Sequence, residues 1–263
     1  MRETWRRRVQ RAETLSAVAT PSTALVAFYA ALLRAQSDVY DFLSGLSGWR
    51  PSGSLASDLP ALEPRLPIVL TTVANAAPAS LASEARQWLT MPGRRLDQPL
   101  LAFWRAPSDR DFFAKAIVQP YADWLAVTGV VPVGRDLPRA DNRCPFCGGT
   151  PQLSLLRTAS DAALEGGGRA LQCATCLTTW PFRRVLCPHC GEEDERKLGY
   201  FHSPAFDHVR VEACESCRHY VKGIDLTRLG VAVPLVDEVA SAPLDAWARE
   251  HGYEKIELNL VGL

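Results

Sequence analysis

All eight cysteines of this chain occur in pairs with the pattern Cys-x-x-Cys, and all four pairs lie in its second half. Two thiolates at this spacing reach one ion from a single tight turn, so two pairs complete a tetrahedral site of four sulfurs. Four pairs therefore predict two metal sites. The predicted metal ligands are Cys144, Cys147, Cys173, Cys176, Cys187, Cys190, Cys214 and Cys217.

The segments between the pairs indicate which pairs share an ion. Twenty-five residues separate the first pair from the second and twenty-three separate the third from the fourth, whereas ten separate the second from the third. Each long segment has the same content of turn, strand, loop and strand, so residues 144–176 and 187–217 look like two copies of one unit. This favours pairing in chain order. A nested arrangement, first with fourth and second with third, is the alternative.

The first pair of each copy reads Cys-Pro-x-Cys-Gly, with Gly148 and Gly191 as the final residues. Proline fixes the dihedral angle that enters the turn, and glycine accepts the positive φ that leaves it. Backbone N–H groups then point at the thiolates, as in the knuckles of zinc ribbons and rubredoxins. Four thiolates suit zinc and iron equally well, so the spacing leaves the metal open.

Other chemistry finds less support in the residues. Residues 187–190 read Cys-Pro-His-Cys, the active-site sequence of a strong thiol oxidant, but the acidic run at 192–195 does not favour a reactive thiolate. The helical first half contains no phosphate-binding glycine loop and no hydrolase motif. We expect no catalytic residues. The histidines are expected to be surface or hydrogen-bonded residues and not ligands; they are His189, His202, His208, His219 and His251.

Composition limits the partners. Lysine and arginine together number 29, as do aspartate and glutamate, so the formal net charge is zero. This opposes a nucleic-acid coat and charge-driven binding to anionic membranes. Residues 24–33 are too short an apolar stretch to span a bilayer. The basic start resembles an export signal, but Glu3, Glu13 and Pro21 favour an amphipathic helix. Thiolates kept free for metal indicate a reducing compartment, so we expect a cytoplasmic protein.

The elements that must position the cysteines follow from periodicity. Apolar residues recur at helical spacing in the first half, and Pro60, Pro64 and Pro67 mark a loop. The helices are predicted over residues 3–18, 24–43, 68–75, 78–90 and 108–127. Short strands are predicted over residues 152–157, 169–172, 197–202, 208–212 and 220–224, with a turn through Gly166, Gly167 and Gly168. Helix returns over residues 236–241 and 244–250.

The predicted fold class is α+β. An all-helical N-terminal domain, residues 1–138, precedes two tandem rubredoxin-like or zinc-ribbon modules within residues 139–226, and a short C-terminal helix and tail occupy residues 227–263. The modules are placed at about 142–180 and 185–226. Residues 132–142 are the predicted linker between the two halves.

Segments around the cysteines resemble a known family. Residues 171–180 read LQCATCLTTW, and residues 212–222 read EACESCRHYVK with Asp225 close behind. These segments resemble the formate dehydrogenase accessory proteins of the FdhE family. The resemblance runs from about Cys144 to the C-terminus, where Gly252, Tyr253 and Asn259 fall in a similar tail. It extends more faintly to the helices around Arg11 and residues 24–43.

The resemblance implies a cytoplasmic assembly factor and not an enzyme. Such a protein assists the maturation of a respiratory formate dehydrogenase and binds its catalytic subunit before export. The four cysteine pairs match the family's pairs one by one, and the resemblance implies iron in both sites, with zinc as the alternative. A zinc-ribbon nucleic-acid-binding protein and a rubredoxin-like electron carrier are the competing functions. A homodimer is compatible with the sequence.

Overall fold

The computed structural model describes residues 2–90, 93–135, 140–157 and 168–263. The first half of the chain is helical, as predicted. None of the described helices combines the length and the apolar composition needed to cross a membrane. The helices of this half are α1 (Arg2–Ser16), α2 (Thr23–Gly45), α3 (Leu55–Leu62), α4 (Leu66–Ala76), α5 (Ala79–Thr90), α6 (Gly93–Arg105) and α7 (Phe112–Thr128).

Helix α2 is the centre of this half, because apolar residues on much of its surface are buried against α1, α4 and α7. Two long-range hydrogen bonds join polar side chains inside the bundle. Trp5 of α1 donates its indole N–H to the Asp123 carboxylate of α7 at 2.8 Å. Gln36 of α2 donates to the carbonyl oxygen of Ala116 in α7 at 2.9 Å. Both bonds fix α7 against its neighbours.

The loop predicted from prolines is wrong. Pro60 lies inside α3, Pro64 lies in a 3-10 turn (Glu63–Arg65), and Pro67 lies in the first turn of α4. A proline in a first helical turn loses no hydrogen bond, because the N–H at that position has no partner within the helix. Pro64 and Pro67 thus lie at the starts of helical segments, where the sequence predicted a loop.

Helices α6 and α7 also differ from the prediction. Helix α6 was not predicted at all, and α7 begins at Phe112 and not at residue 108. The Ser108 hydroxyl accepts a hydrogen bond from the backbone N–H of Arg110 at 3.2 Å and so forms a local turn ahead of the helix. Helix α7 ends at Gly129, whose φ of +71° is the left-handed conformation expected after a helix.

The second half contains a mixed sheet built from two three-stranded antiparallel units. Strands β1 (Pro151–Leu156), β2 (Arg169–Cys173) and β3 (Thr179–Pro181) follow the first cysteine pair. Strands β4 (Leu198–His202), β5 (Val209–Cys214) and β6 (His219–Asp225) follow the third pair. Within the described residues the strand order is β3-β2-β1-β6-β5-β4, and β7 (Glu254–Lys255) also pairs with β6.

The two repeated units share this sheet. Strand β1 of the first unit pairs in parallel with β6 of the second, with Leu153 opposite Lys222 and Leu155 opposite Ile224. The other pairings along the main path are antiparallel. The predicted turn through Gly166 and Gly167 lies outside the described residues.

The C-terminal segment forms two helices, α8 (Pro234–Ala240) and α9 (Ala242–Glu250), which pack on the sheet through buried charges. Lys222 of β6 contacts the Asp245 carboxylate of α9 at 2.5 Å, and Lys255 forms an ion pair with Glu238 of α8. The Tyr220 hydroxyl donates to Asp245 at 2.8 Å. Buried charges are tolerated only when paired in this way, so the cluster fixes both helices on the sheet.

Ion pairs also join the helical half to the second half. Arg11 of α1 contacts Asp237 of α8 at 2.5 Å. Lys115 of α7 contacts Glu257 at 2.8 Å and also donates to the carbonyl oxygen of Leu258. The two halves are therefore joined by polar contacts from both α1 and α7.

Candidate metal centres

The first two cysteine pairs converge on one cluster. Sulfur atoms Sγ of Cys144 and Cys176 lie 3.5 Å apart, and those of Cys147 and Cys173 lie 3.4 Å apart. All four sulfurs lie within 4.8 Å of one another and all four residues are buried. We refer to these residues as site 1.

The third and fourth pairs form the second cluster. The Sγ atoms of Cys187 and Cys217 lie 3.8 Å apart, as do those of Cys190 and Cys214. These four sulfurs also lie within 4.8 Å of one another, and we refer to them as site 2. The structure thus brings the pairs together in chain order, and the nested alternative is wrong.

Local hydrogen bonds explain why each Cys-Pro-x-Cys-Gly segment forms a knuckle. In site 1 the N–H of Gly148 donates to the carbonyl oxygen of Cys144 at 2.8 Å, and in site 2 Gly191 donates to Cys187 at 3.1 Å. The φ angles of the two glycines are +71° and +78°, as the sequence predicted. Gly149 was not singled out, although a Cβ at this position would lie 2.9 Å from the Cys173 sulfur. Its lack of a side chain leaves room for site 1.

The second knuckle of each site leaves its turn through a residue other than glycine. Leu177 follows Cys176 with φ of +59°, and Arg218 follows Cys217 with φ of +58°. An L-residue in this conformation costs roughly 1–2 kcal/mol, so surrounding contacts must hold it. The equivalent position of the two strained residues supports the internal repeat that was inferred from spacing.

Both clusters have the dimensions of a tetrahedral thiolate site. Metal–sulfur bonds of about 2.3 Å place the sulfurs of a tetrahedron about 3.8 Å apart. The measured separations in site 2 equal this edge, and those in site 1 are slightly shorter. They are far longer than the disulfide bond of about 2.05 Å. Each cluster could therefore hold one metal ion.

Burial keeps two of the thiols protonated when no cation is bound. Burial raises the pKa of the Cys187 thiol to about 11 and lifts the pKa of Cys176 well above its ordinary value. Buried thiols of this kind keep their protons at neutral pH unless a positive charge replaces them. A bound metal ion supplies that charge and deprotonates its ligands.

The two sites differ in exposure. The cysteines of site 1 are at most 1% exposed. In site 2, Cys190 is exposed and Cys217 is half-buried. Solvent therefore reaches site 2 and not site 1. Sequence spacing did not predict this difference, since the two units have the same cysteine pattern.

Two histidines flank site 2. The rings of His189 and His219 stack with 3.7 Å between their centroids and 9° between their planes. Nδ1 of His219 lies 2.7 Å from the carbonyl oxygen of Cys217, so this nitrogen carries the hydrogen. Burial lowers the pKa of His189, and the positive charges of His219 and Arg143 lower it further. Ring nitrogens of both histidines and the sulfur of Cys217 lie within 4.8 Å of one another, so the expectation that these histidines are not ligands stays a prediction.

The class of this protein is defined by its helical bundle and by the two clusters of four cysteines on one sheet. It is an α+β protein in which a helical bundle supports paired centres of the rubredoxin or zinc-ribbon kind. Residues 185–261 match the family model described as FdhE, C-terminal domain. This match confirms the resemblance to the FdhE family that the sequence predicted.

Individual relatives agree with this assignment. A protein named FdhE homolog from Aquifex aeolicus is 40% identical over 121 residues, which are 46% of this chain and 42% of the relative. The protein FdhE of Escherichia coli is 28% identical over 163 residues, 60% of this chain and 49% of the relative. The aligned part thus spans less than half the length of either curated relative.

A solved structure shows the same fold over nearly the whole chain. The crystal structure of the FdhE protein from Pseudomonas aeruginosa superposes with a TM-score of 0.74 and covers 99% of this chain and 96% of that one. Sequence identity between the two is 23%. The likeness supports the joint arrangement of helical bundle and sheet described above.

Proposed function

We propose that this protein is an accessory factor for the maturation of a respiratory formate dehydrogenase. In this proposal it binds the catalytic subunit of the enzyme in the cytoplasm, before export. The observation that carries the proposal is the match of residues 185–261 to the FdhE C-terminal domain, because this segment contains the whole of site 2. Its balanced charge, 29 basic against 29 acidic residues, favours a protein partner over a nucleic acid.

The eight cysteines are, in this proposal, the ligands of two metal ions, with iron preferred from the family resemblance. A bound ion supplies a tetrahedral cross-link between two knuckles of the chain. The residues of each unit do the rest: Gly148 and Gly191 give the turns their shape, and the hairpins hold the two knuckles face to face. Structural thiolate sites contribute roughly 10–16 kcal/mol of apparent folding free energy in small zinc peptides.

The proposed role of the metals is structural, and the proposed protein is not an enzyme. Four thiolates close a tetrahedral site, so neither substrate nor water finds an open coordination position. The client, which is the catalytic subunit, would instead contact the protein surface whose shape the two metal sites maintain. A candidate contact is the 3-10 turn Pro204–Phe206, which joins β4 to β5 at the edge of the sheet.

Capture of the client tests this function. The tagged chain is purified from anaerobically grown cells that make formate dehydrogenase, and metal is measured on the same sample. We expect the catalytic subunit to copurify. The double variant Cys187→Ser/Cys190→Ser should lose the metal of site 2 and capture less client, whereas the exposed-residue control Arg6→Gln should behave as the native chain. A native, metal-loaded chain that captures no catalytic subunit would contradict the proposal.

Metal exchange separates a structural role from redox chemistry. Iron-loaded and zinc-loaded protein are added to an extract that lacks the native factor, and formate dehydrogenase activity is followed. Zinc has no redox chemistry, so equal rescue by both forms supports a structural role. Rescue by the iron form alone would point to electron or iron transfer. The absorption spectrum verifies the metal in each preparation, since the oxidised iron–tetrathiolate form is coloured and the zinc form is not.

A further inference from the structure

A cavity away from both metal sites has the properties of a ligand pocket. It lies between α1, the ends of β1 and β2, and the segment that leads into α8, and its volume is about 240 Å³. Arg7, Arg8 and Arg157 line it, together with Gln172 and apolar residues such as Leu226 and Leu235. The described residues that line the cavity include no aspartate or glutamate. Its wall is therefore positively charged.

The three arginines are held differently. Arg8 is 5% exposed, its guanidinium stacks on Trp5, and one N–H contacts Asp123 at 3.4 Å, so it is a fixed part of the wall. Arg7 is exposed at the mouth. Arg157 is half-buried, and its Nε atom is buried with no hydrogen-bond partner among the described residues. An unpaired buried N–H of a cation is costly, which favours an anionic ligand at this point.

Gln172 provides a second buried polar atom without a partner, and this atom is an acceptor. The residue is 8% exposed, and its Nε2 donates to the carbonyl oxygen of Leu177 at 3.1 Å. Its Oε1 therefore acts as an acceptor, and it has no partner in the described part of the chain. The residues that line the cavity thus include cations and a glutamine whose buried acceptor is unpaired, beside an apolar wall formed in part by Leu155.

We propose that this cavity binds an acidic residue of a peptide segment. The carboxylate would accept hydrogen bonds from Arg157 and Arg7, as carboxylates commonly do from guanidinium groups. A neighbouring peptide N–H would donate to Oε1 of Gln172, and an aliphatic neighbour would cover the apolar wall. Water can occupy such a volume and bridge polar groups, but it does not neutralise the charge of the arginines.

The position of the pocket connects it to site 1. Gln172 directly precedes the predicted ligand Cys173, and Leu177, which accepts its hydrogen bond, directly follows Cys176. This hydrogen bond thus joins the two residues that flank the second knuckle of site 1. Under the proposed function, the acidic segment belongs to the client protein. The peptide interaction itself is measured without any client, so the two proposals can fail separately.

The experiment uses the full, metal-loaded chain and a fluorescent blocked peptide, Gly-Leu-Glu-Leu-Gly amide, with its Gln counterpart as the uncharged probe. Binding is followed by fluorescence anisotropy. We expect the Glu peptide to bind at least about tenfold more tightly than the Gln peptide, as a charge-assisted pair requires. The double variant Arg7→Gln/Arg157→Gln should abolish this preference. Arg6→Gln, an exposed neighbour on the same helix that does not line the cavity, should leave it unchanged.

Two further measurements complete the test. Sodium chloride should weaken binding of the Glu peptide to the native chain and hardly affect binding of the Gln peptide. Because this measurement uses the native chain, it does not require that any variant fold. Inorganic phosphate is added as a competitor. Equal binding of both peptides, absence of binding, or displacement of the Glu peptide by phosphate at concentrations similar to its own would overturn the proposal. If the native chain binds the Glu peptide but captures no catalytic subunit, the result would contradict the proposed function and leave the pocket proposal standing.

Discussion

Gln119 of helix α7 donates a hydrogen bond from Nε2 to the carbonyl oxygen of Ala174, at 2.9 Å, although fifty-five residues separate the two in the chain. Ala174 lies between the two cysteines of the second knuckle of site 1. The same glutamine lies 3.2 Å from Gln36, which in turn bonds to the backbone of α7. The helical bundle therefore contacts the metal-binding turn directly and takes part in positioning it.

Replacement of Gln119 should weaken site 1 without touching a ligand. Gln119→Leu leaves the carbonyl of Ala174 buried without its donor, which costs roughly 1–3 kcal/mol. We expect a lower midpoint of thermal unfolding and faster release of the site 1 metal to a chelator. Gln10→Leu, on the exposed part of α1, is the matched control and should have little effect. Unchanged metal release from Gln119→Leu would show that the bundle does not support this site.

Removal of one cysteine pair tests the arrangement of the ligands. Cys144→Ser/Cys147→Ser should lose one metal ion and leave site 2 loaded, because the two clusters share no cysteine. The metal content should fall from two ions to one per chain, with the spectrum of the remaining centre preserved. Disrupted ligation at Cys214 and Cys217 in this variant would contradict the observed pairing.

The difference in exposure predicts two rates of metal release. Cys190 of site 2 is exposed, whereas every cysteine of site 1 is buried, so a chelator reaches site 2 first. We expect two kinetic phases when metal transfer to a coloured chelator is recorded, with the faster phase from site 2. Cys187→Ser/Cys190→Ser should remove the fast phase. If Cys144→Ser/Cys147→Ser removes it instead, exposure does not control release.

The contact between Arg11 and Asp237 should make stability depend on pH in acid. Burial alone would raise the pKa of Asp237, but hydrogen bonds from His208 and Arg11 outweigh it and hold this pKa below its ordinary value of 3.8. A carboxyl group with a lowered pKa in the folded state stabilises the fold above its unfolded pKa, and this contribution is lost as pH falls through the folded value.

Arg11→Met should therefore unfold more easily than the native chain at neutral pH. The difference should shrink as pH falls below about 4, where the carboxyl group of Asp237 becomes protonated. Chemical denaturation at several pH values measures both quantities. Arg6→Met, an exposed change on the same helix, serves as the control. A constant difference across the pH range would mean that Arg11 acts through packing and not through charge.

Limited proteolysis addresses the predicted division into residues 1–138, 139–226 and 227–263. Cleavage within residues 132–142 is expected to leave a stable helical fragment. Contacts such as Lys115 with Glu257 and Gln119 with Ala174 cross this division, so the fragments should stay associated until denaturant is added. Size-exclusion chromatography after cleavage measures the association. Simultaneous degradation of both halves would argue for one indivisible domain.

Features that depend on local geometry could be predicted from the sequence alone. A Cys-Pro-x-Cys-Gly segment folds its own turn, so Gly148 and Gly191 could be assigned positive φ angles, and similar spacing indicated which pairs converge. The long apolar stripe of α2 likewise placed that helix within two residues at each end. These predictions hold because the interactions that decide them lie within a few residues of one another.

Other features depend on distant parts of the chain and became visible only in the folded protein. The parallel pairing of β1 with β6, the hydrogen bond from Gln119 to Ala174, and the cavity that brings Arg157 near α1 join residues that no local pattern relates. Pairing across such distances depends on the packing of whole elements. For the same reason, two units with one cysteine pattern differ in exposure: every cysteine of site 1 is buried, and Cys190 of site 2 is open to solvent.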